Sequence, residues 1–365
     1  MLFFKKPKFV SGLLPDPRPE EEKKKDYLTS ELLMAVPLEW IDFEVWKQKP
    51  EVQKILNELP VYNQNGAGQC VAMSISLIAT INNWKEEGKA IKFSARGIYA
   101  RRQNKGIPGM WYQNAAELFR TYGVVFESVL PSENLTEEQA NRLDDYLPSF
   151  DLVGKIYAPK NYFWVSSFQD VVQVISRGIP VQIGMRFKME EWNRVVPEIK
   201  FKANSLFDLP YGHSVVVLPY SFFKYQGKLA VLIQDSWGLY SATMNGRRIL
   251  TEDWFVRPRF SAGLWYEDMK NLEVYNTNLP KPKYRFTREL SFGMRGDDVA
   301  MLQVCLATLR DEQGYLFPLW QGQPSTGFFG GITMSGVKRF QKMYGLEQTG
   351  KVDRATLLKL NEVFS

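Results

Sequence analysis

Apolar positions change texture along the chain. Between residues 71 and 84, Val71, Ile75, Ile78 and Ile81 recur near helical spacing, and few polar residues interrupt them. The pattern predicts a buried helix over Val71–Trp84. "FSARGIYARR" and "NAAELFRTYG" read as two more helices, the second stopped by Gly123. "LTEEQANRLDDYL" places Gln139 three residues after Thr136, the pattern of a capping box. After about residue 150 a short helix capped by Ser167 and stopped by Gly178 and Pro180 leads into the strand "VQIGMRF". The β-branched runs "HSVVVLPYSF" and "LAVLIQDSW" follow as buried strands. Helices first and strands later predict an α+β domain with two lobes and a cleft between them.

The two ends break this texture. Residues 1–34 include "PDPRPEEEKKKD", rich in proline and then in blocks of like charge, and read as an extended or disordered arm. The globular domain is expected over residues 35–274. "YNTNLPKPKY" has no periodicity and sets a linker at 275–286. Residues 287–365 contain an internal echo, since "GDDVAMLQVCL" and "GITMSGVKRFQ" share the pattern V-x-x-(L/F)-Q. Asp297 or Asp298 and Thr333 are candidate caps of these two helices. A third helix begins near Asp353, giving a small three-helix bundle.

Composition narrows the chemistry. An apolar content of 45% with 24% charged residues is that of an ordinary globular protein, and a net charge of +6 without a basic tract does not point to nucleic acid. Two cysteines make no disulfide framework, and two cysteines with one histidine argue against a structural metal site. No cofactor is implied. Neither a secretory signal nor an apolar run long enough to span a membrane is evident. Synthesis in the cytoplasm is expected, with action at a cell wall, or in a virion if the chain is phage-encoded.

Within "NQNGAGQC", Gly66 and Gly68 permit a tight turn and Cys70 heads the apolar helix. A helix N-terminus favours a thiolate. The sole histidine, His213, opens an apolar strand in "GHSVVV", and Asp235 follows the next strand in "DSWG". Antiparallel pairing of these strands would bring His213 near Asp235, which could orient the imidazole. Cys305, inside the apolar stripe "LQVCL", reads as core.

Taken in order, "NQNGAGQCVAMS", "GHSVVV" and "DSWG" resemble the active-site segments of the papain-like cysteine peptidases. The resemblance covers about residues 35–270. It implies Cys70 as nucleophile, His213 as base, Asp235 as the residue orienting the imidazole, Gln64 as oxyanion donor and Trp237 as a shield. Gly106 and Gly109 are candidates for binding substrate backbone. Three departures stand out. Asp235 replaces the usual Asn, and a free carboxylate would stabilise the imidazolium more than an amide does. Cys-Gly-Ser-Cys-Trp becomes Ala67-Gly-Gln-Cys-Val71. About 35 residues precede the globular part, too few for the family's helical inhibitory propeptide.

Residues 290–362 resemble the type 1 peptidoglycan-binding domain through Leu290, Gly293, Gly296, Val299, Leu302, Gln303, Thr326-Gly327, Phe329-Gly330, Thr333, Val337 and Phe340-Gln341. The combined reading is a cysteine peptidase held at the bacterial cell wall, acting on a peptide or protein. The alternatives are a non-catalytic structural or binding protein that keeps the fold, and a transglutaminase-like acyl transferase.

Overall fold

A computed structural model describes residues 11–26, 28–29, 36–88, 90–144, 146, 149–239, 244–267, 282–318, 325 and 327–365. Residues 1–10 of the expected arm, most of the expected linker and Thr326 lie outside them. The chain divides into two compact units. One holds residues 1–144 and 159–269, and the other residues 145–158 and 270–365. The helices used below are α1 (Cys70–Glu87), α2 (Tyr112–Tyr122), α3 (Ser149–Ile156), α4 (Phe168–Ile175), α5 (Asp297–Ala307), α6 (Gly331–Met343) and α7 (Arg354–Phe364).

In the first unit, six strands form one antiparallel sheet. These are β1 (Asn161–Val165), β2 (Val181–Phe187), β3 (Tyr211–Tyr225), β4 (Lys228–Gln234), β5 (Arg247–Thr251) and β6 (Phe260–Glu267), in the order β1-β6-β2-β3-β4-β5. Helix α1 packs on β3 and β2. Its residues from Cys70 to Ile81 are all buried, so it is apolar all round, as a helix enclosed on every side must be. Gly88 ends it in the left-handed conformation. The capping boxes at Thr136 and Ser167 form as the spacing predicts. The sheet core gathers Val171, Ile175, Ile183, Val215, Val217, Ile233, Trp237 and Trp254.

In the second unit, α5, α6 and α7 are joined by α3, which packs on α5. The internal echo has a physical basis in two buried glutamines. Gln303 donates to the Phe328 carbonyl and Thr333 Oγ1, and accepts from the Gly327 N–H. Gln341 donates to Thr349 Oγ1, the Lys351 carbonyl and Thr356 Oγ1, and accepts from the Gly350 N–H. Each glutamine thus ties its own helix to the following loop and to a threonine of the next helix. Asp353 caps α7 as expected, accepting from the Thr356 N–H. Neither Asp297, Asp298 nor Thr333 is a cap: α5 and α6 start after Gly296 and Gly330, and Thr333 is instead buried against Gln303. Cys305 is core, as its stripe implies.

Candidate active site

Cys70 is the first residue of α1 and is completely buried. The loop before it is fixed from outside. Glu137 accepts from the Gly68 N–H at 2.8 Å and from Tyr99 at 2.7 Å, and pairs with buried Arg102. Gln69 donates to the Ser132 carbonyl. Nearby backbone N–H groups, those of Ser214, Val71, Cys70 and Gly12, favour the thiolate. Ser214 matters most here, because it is the residue next to His213. A polar knot holds β3 to α1 at this point. Ser214 Oγ donates to Ser74, Tyr112 donates to Ser214, and Gln182 bridges Ser214 and the Val71 carbonyl.

The register of β3 on β4 pairs Val216 with Gln234, and extending it by three residues sets Trp237 opposite His213. The two rings stack at 4.4 Å and 27°. Phe187 and Trp192 approach the imidazole edge-on. The loops carrying Gln64 and Trp237 are stitched together. Asn63 bridges Trp237, the Gln64 N–H donates to the Ser236 carbonyl at 2.7 Å, and Ser236 Oγ donates to Gln64 Oε1 at 2.6 Å. Gln64 Nε2 spends one hydrogen on the Ala67 carbonyl.

Asp235 departs from the sequence expectation. Its Oδ1 accepts from the Trp237 N–H at 3.1 Å, and its Oδ2 is paired with Arg248 Nε at 3.0 Å. No hydrogen bond joins it to His213 among the described residues, and His213 Nε2 is buried without a hydrogen-bond partner. Asp235 follows the strand that pairs with β5, and β5 delivers the arginine. Sequence reading missed Arg248. Its neighbour Arg247, also buried, hides the signal, because "RR" ahead of "ILT" reads as a solvated strand start.

Burial sets the charge state. Desolvation pushes the Cys70 thiol up to about 12, against the opposing pull of the four N–H groups. Desolvation, and then the Arg248 charge, push the His213 imidazole down to about 3. Thiol and imidazole are both neutral in this arrangement.

The chain's own arm buries them. Gly12 donates its N–H to the Gly212 carbonyl at 3.2 Å, and its carbonyl accepts from the Met110 N–H at 2.8 Å. Leu14 donates to the Met110 carbonyl at 3.1 Å. A Cβ on Gly12 would lie 2.5 Å from the Cys70 sulfur and 2.5 Å from the Gly68 carbonyl oxygen, so only glycine fits. Leu13 is buried against Gly184 and Gly212, with Cδ2 2.7 Å from where a Gly184 Cβ would stand. Farther on, Arg18 grips Asp16 and Asp26 and lies over the Trp164 ring. Thr29 bonds the Trp164 carbonyl and accepts from Trp265. The arm is therefore packed against the domain along residues 11–26 and 28–29. No helical segment covers the sulfur on this side: residues 11–14 form no helix, and Gly12 lies against it.

Of the two glycine candidates, Gly109 adjoins the arm's Gly12 carbonyl and donates its N–H to Tyr99. At Gly106 a Cβ would meet nothing within 4 Å, and the residue touches none of these groups. Among the described residues no cluster of His, Cys, Asp or Glu could hold a metal. None of the described helices is long and apolar enough to cross a membrane.

Comparison with known proteins bears on both units. Residues 295–360 match the family "Putative peptidoglycan binding domain". No curated protein sequence is significantly similar to the chain. Xylellain, a cysteine protease from Xylella fastidiosa, superposes with a TM-score of 0.52 at 14% identity, over 73% of this chain and 100% of its own. Procathepsin L 3 of the Tenebrio molitor larval midgut gives 0.46 at 15% identity, over 67% of this chain and 73% of its own. The chain thus has a papain-like cysteine-protease fold followed by a peptidoglycan-binding-type domain.

Proposed function

We propose that the protein is a cysteine peptidase directed to the bacterial cell wall and held closed by its own arm. The carrying observation is the polar knot that ties Ser214, the neighbour of the chain's only histidine, to Ser74 and, through Gln182, to the Val71 carbonyl, in the opening turns of the helix that Cys70 heads. In the reaction His213 takes the thiol proton as sulfur attacks an amide carbonyl. The Cys70 N–H and the second hydrogen of Gln64 Nε2 meet the oxyanion. His213 then protonates the leaving amine, and water releases the acyl group from sulfur. The C-terminal unit raises the local enzyme concentration on a polymeric wall.

The closed state follows from sterics. Gly12 commits its N–H to the Gly212 carbonyl and its own carbonyl to the Met110 N–H, so neither group of that residue is offered to the oxyanion donors. A substrate and the arm cannot share the site. Departure of the arm would also rehydrate the thiol and imidazole, removing the main cause of their shifts.

The test is hydrolysis of unfolded protein and of purified wall sacculi by a Gly12→Val variant, beside Gly12→Val/Cys70→Ala. Peptide release by the first and none by the second is expected. Release by neither would refute the peptidase reading and favour a binding protein that keeps the fold.

A further inference from the structure

Two arginines stand side by side on β5, and they are buried in different ways. Arg247 bonds only neutral groups: Gln234 and the carbonyls of Ile55, Leu56 and Leu59. Arg248 meets a carboxylate. Its Nε pairs with Asp235 at 3.0 Å, with both side chains fully enclosed. Its Nη1 donates to the Trp192 and Arg194 carbonyls at 3.0 and 2.7 Å. Its Nη2 has no hydrogen-bond partner among the described residues. The guanidinium lies 5.6 Å from the ring centres of both Trp192 and Trp237, the rings that enclose the imidazole.

A buried ion pair like this is weak evidence for a role in stability, because desolvating both charges consumes much of the gain. Its location suggests another use. The charged and titratable groups on the elements packed about the imidazole are Arg248 from β5, Asp235 from the loop after β4, held by Arg248 and by the N–H of Trp237 whose ring stacks on the imidazole, and Cys70 at the head of α1, where Ser74 bonds the Ser214 hydroxyl. The strand β2 and the short helix Met189–Trp192 contribute the Phe187 and Trp192 rings. Building on the peptidase reading, we propose that Arg248 is a positioning residue: it clamps Asp235 and cancels its charge, so that His213 faces a net-neutral pair where a lone carboxylate would otherwise stand. The papain-like peptidases that this chain resembles place a neutral amide at the Asp235 position. The aspartate–arginine pair reproduces that neutrality with two residues, at the cost of a second buried charge. Asp235 alone would hold the imidazolium too tightly and delay return of its proton to the leaving amine.

The chain has one histidine, so its imidazole can be followed by NMR titration in the full-length protein without any activity. Three proteins suffice: the unmodified chain, Arg248→Gln, and Asp235→Asn/Arg248→Gln. The unmodified imidazole is expected to stay neutral until the protein unfolds in acid. Arg248→Gln exposes it to an uncancelled carboxylate, which should raise its proton affinity by about tenfold or more, a shift of about one unit. The double variant, neutral at both positions, should return to the unmodified behaviour. The same order should appear in the alkaline limb of Cys70 labelling once Gly12→Val has moved the arm.

An Arg248→Gln titration superimposable on the unmodified one would overturn the proposal. So would a double variant that keeps the raised affinity. If Arg248→Gln does not fold, the double variant decides, and a shift of more than about one unit from the unmodified protein counts against charge cancellation. The NMR result stands even if no peptidase activity is found, so failure of the inference and failure of the peptidase reading remain separate.

Discussion

The two units treat buried polar atoms in opposite ways. In the C-terminal unit, Gln303 and Gln341 are almost wholly enclosed, yet both ends of each amide are bonded. In the first unit, His213 Nε2, Arg248 Nη2, Gln69 Oε1 and Trp192 Nε1, at the candidate site or in its walls, are enclosed without hydrogen-bond partners among the described residues, as are Ser76 Oγ, Arg102 Nε and Asn104 Oδ1. An unsatisfied buried polar atom costs free energy, whereas a fully satisfied one fixes a fold. The contrast sets glutamines whose bonds hold a structure together beside a cluster at the candidate site whose hydrogen-bonding capacity is left unspent.

Four substitutions would break or sharpen that contrast. The largest effect is expected from His213→Ala. It should slow labelling of Cys70 by an electrophile by about a hundredfold or more, since the base is gone. It should cost little stability, because it also removes an unsatisfied buried atom. Near-equal loss from Gln64→Ala is expected in turnover, about 10²–10³ in kcat, but not in labelling. Labelling and kcat measured on one preparation distinguish the two. Gly12→Val comes next. Its Cβ would collide with the Cys70 sulfur, so the arm should leave and labelling should rise about tenfold or more, in proportion to the open fraction. An unchanged rate would mean that the arm does not limit access.

Gln341→Leu is the converse case. It strands the Gly350 N–H and the Lys351 carbonyl inside the C-terminal unit, a loss of about 1–3 kcal/mol per stranded group. Calorimetry should show that unit melting earlier, with Cys70 labelling unchanged. The remaining effect is in pH. The unfolded imidazole gains a proton below about 6.5, whereas the buried one resists until about 3. Acid therefore favours the unfolded state, and stability falls as pH drops through that window. His213→Ala should lose less stability than the unmodified chain between those limits.

Much of this molecule was legible in its sequence. Helix α1, the strand opening at His213 and the turn at Asp235 were marked by long apolar runs with sharp boundaries. The second unit was marked by a repeated glutamine whose bonding explains the repeat. What escaped reading depended on contacts distant in the chain. The strands β1 and β5 are only five residues long, and β5 begins with two arginines that only tertiary pairing buries. The arm looked unstructured because it has no core of its own. Its order comes from glycines that let it pass close to other backbone, and from an arginine clamped by two aspartates. The membership of α3 in the second unit is likewise a matter of contact, invisible in local pattern.

The most direct test of the account is the rate at which an epoxysuccinyl electrophile alkylates Gly12→Val, compared with Gly12→Val/His213→Ala, with the adduct located by mass spectrometry. The account predicts rapid modification of Cys70 alone in the first protein and a collapse of the rate in the second. Slow modification, modification shared with Cys305, or a rate indifferent to His213 would contradict it.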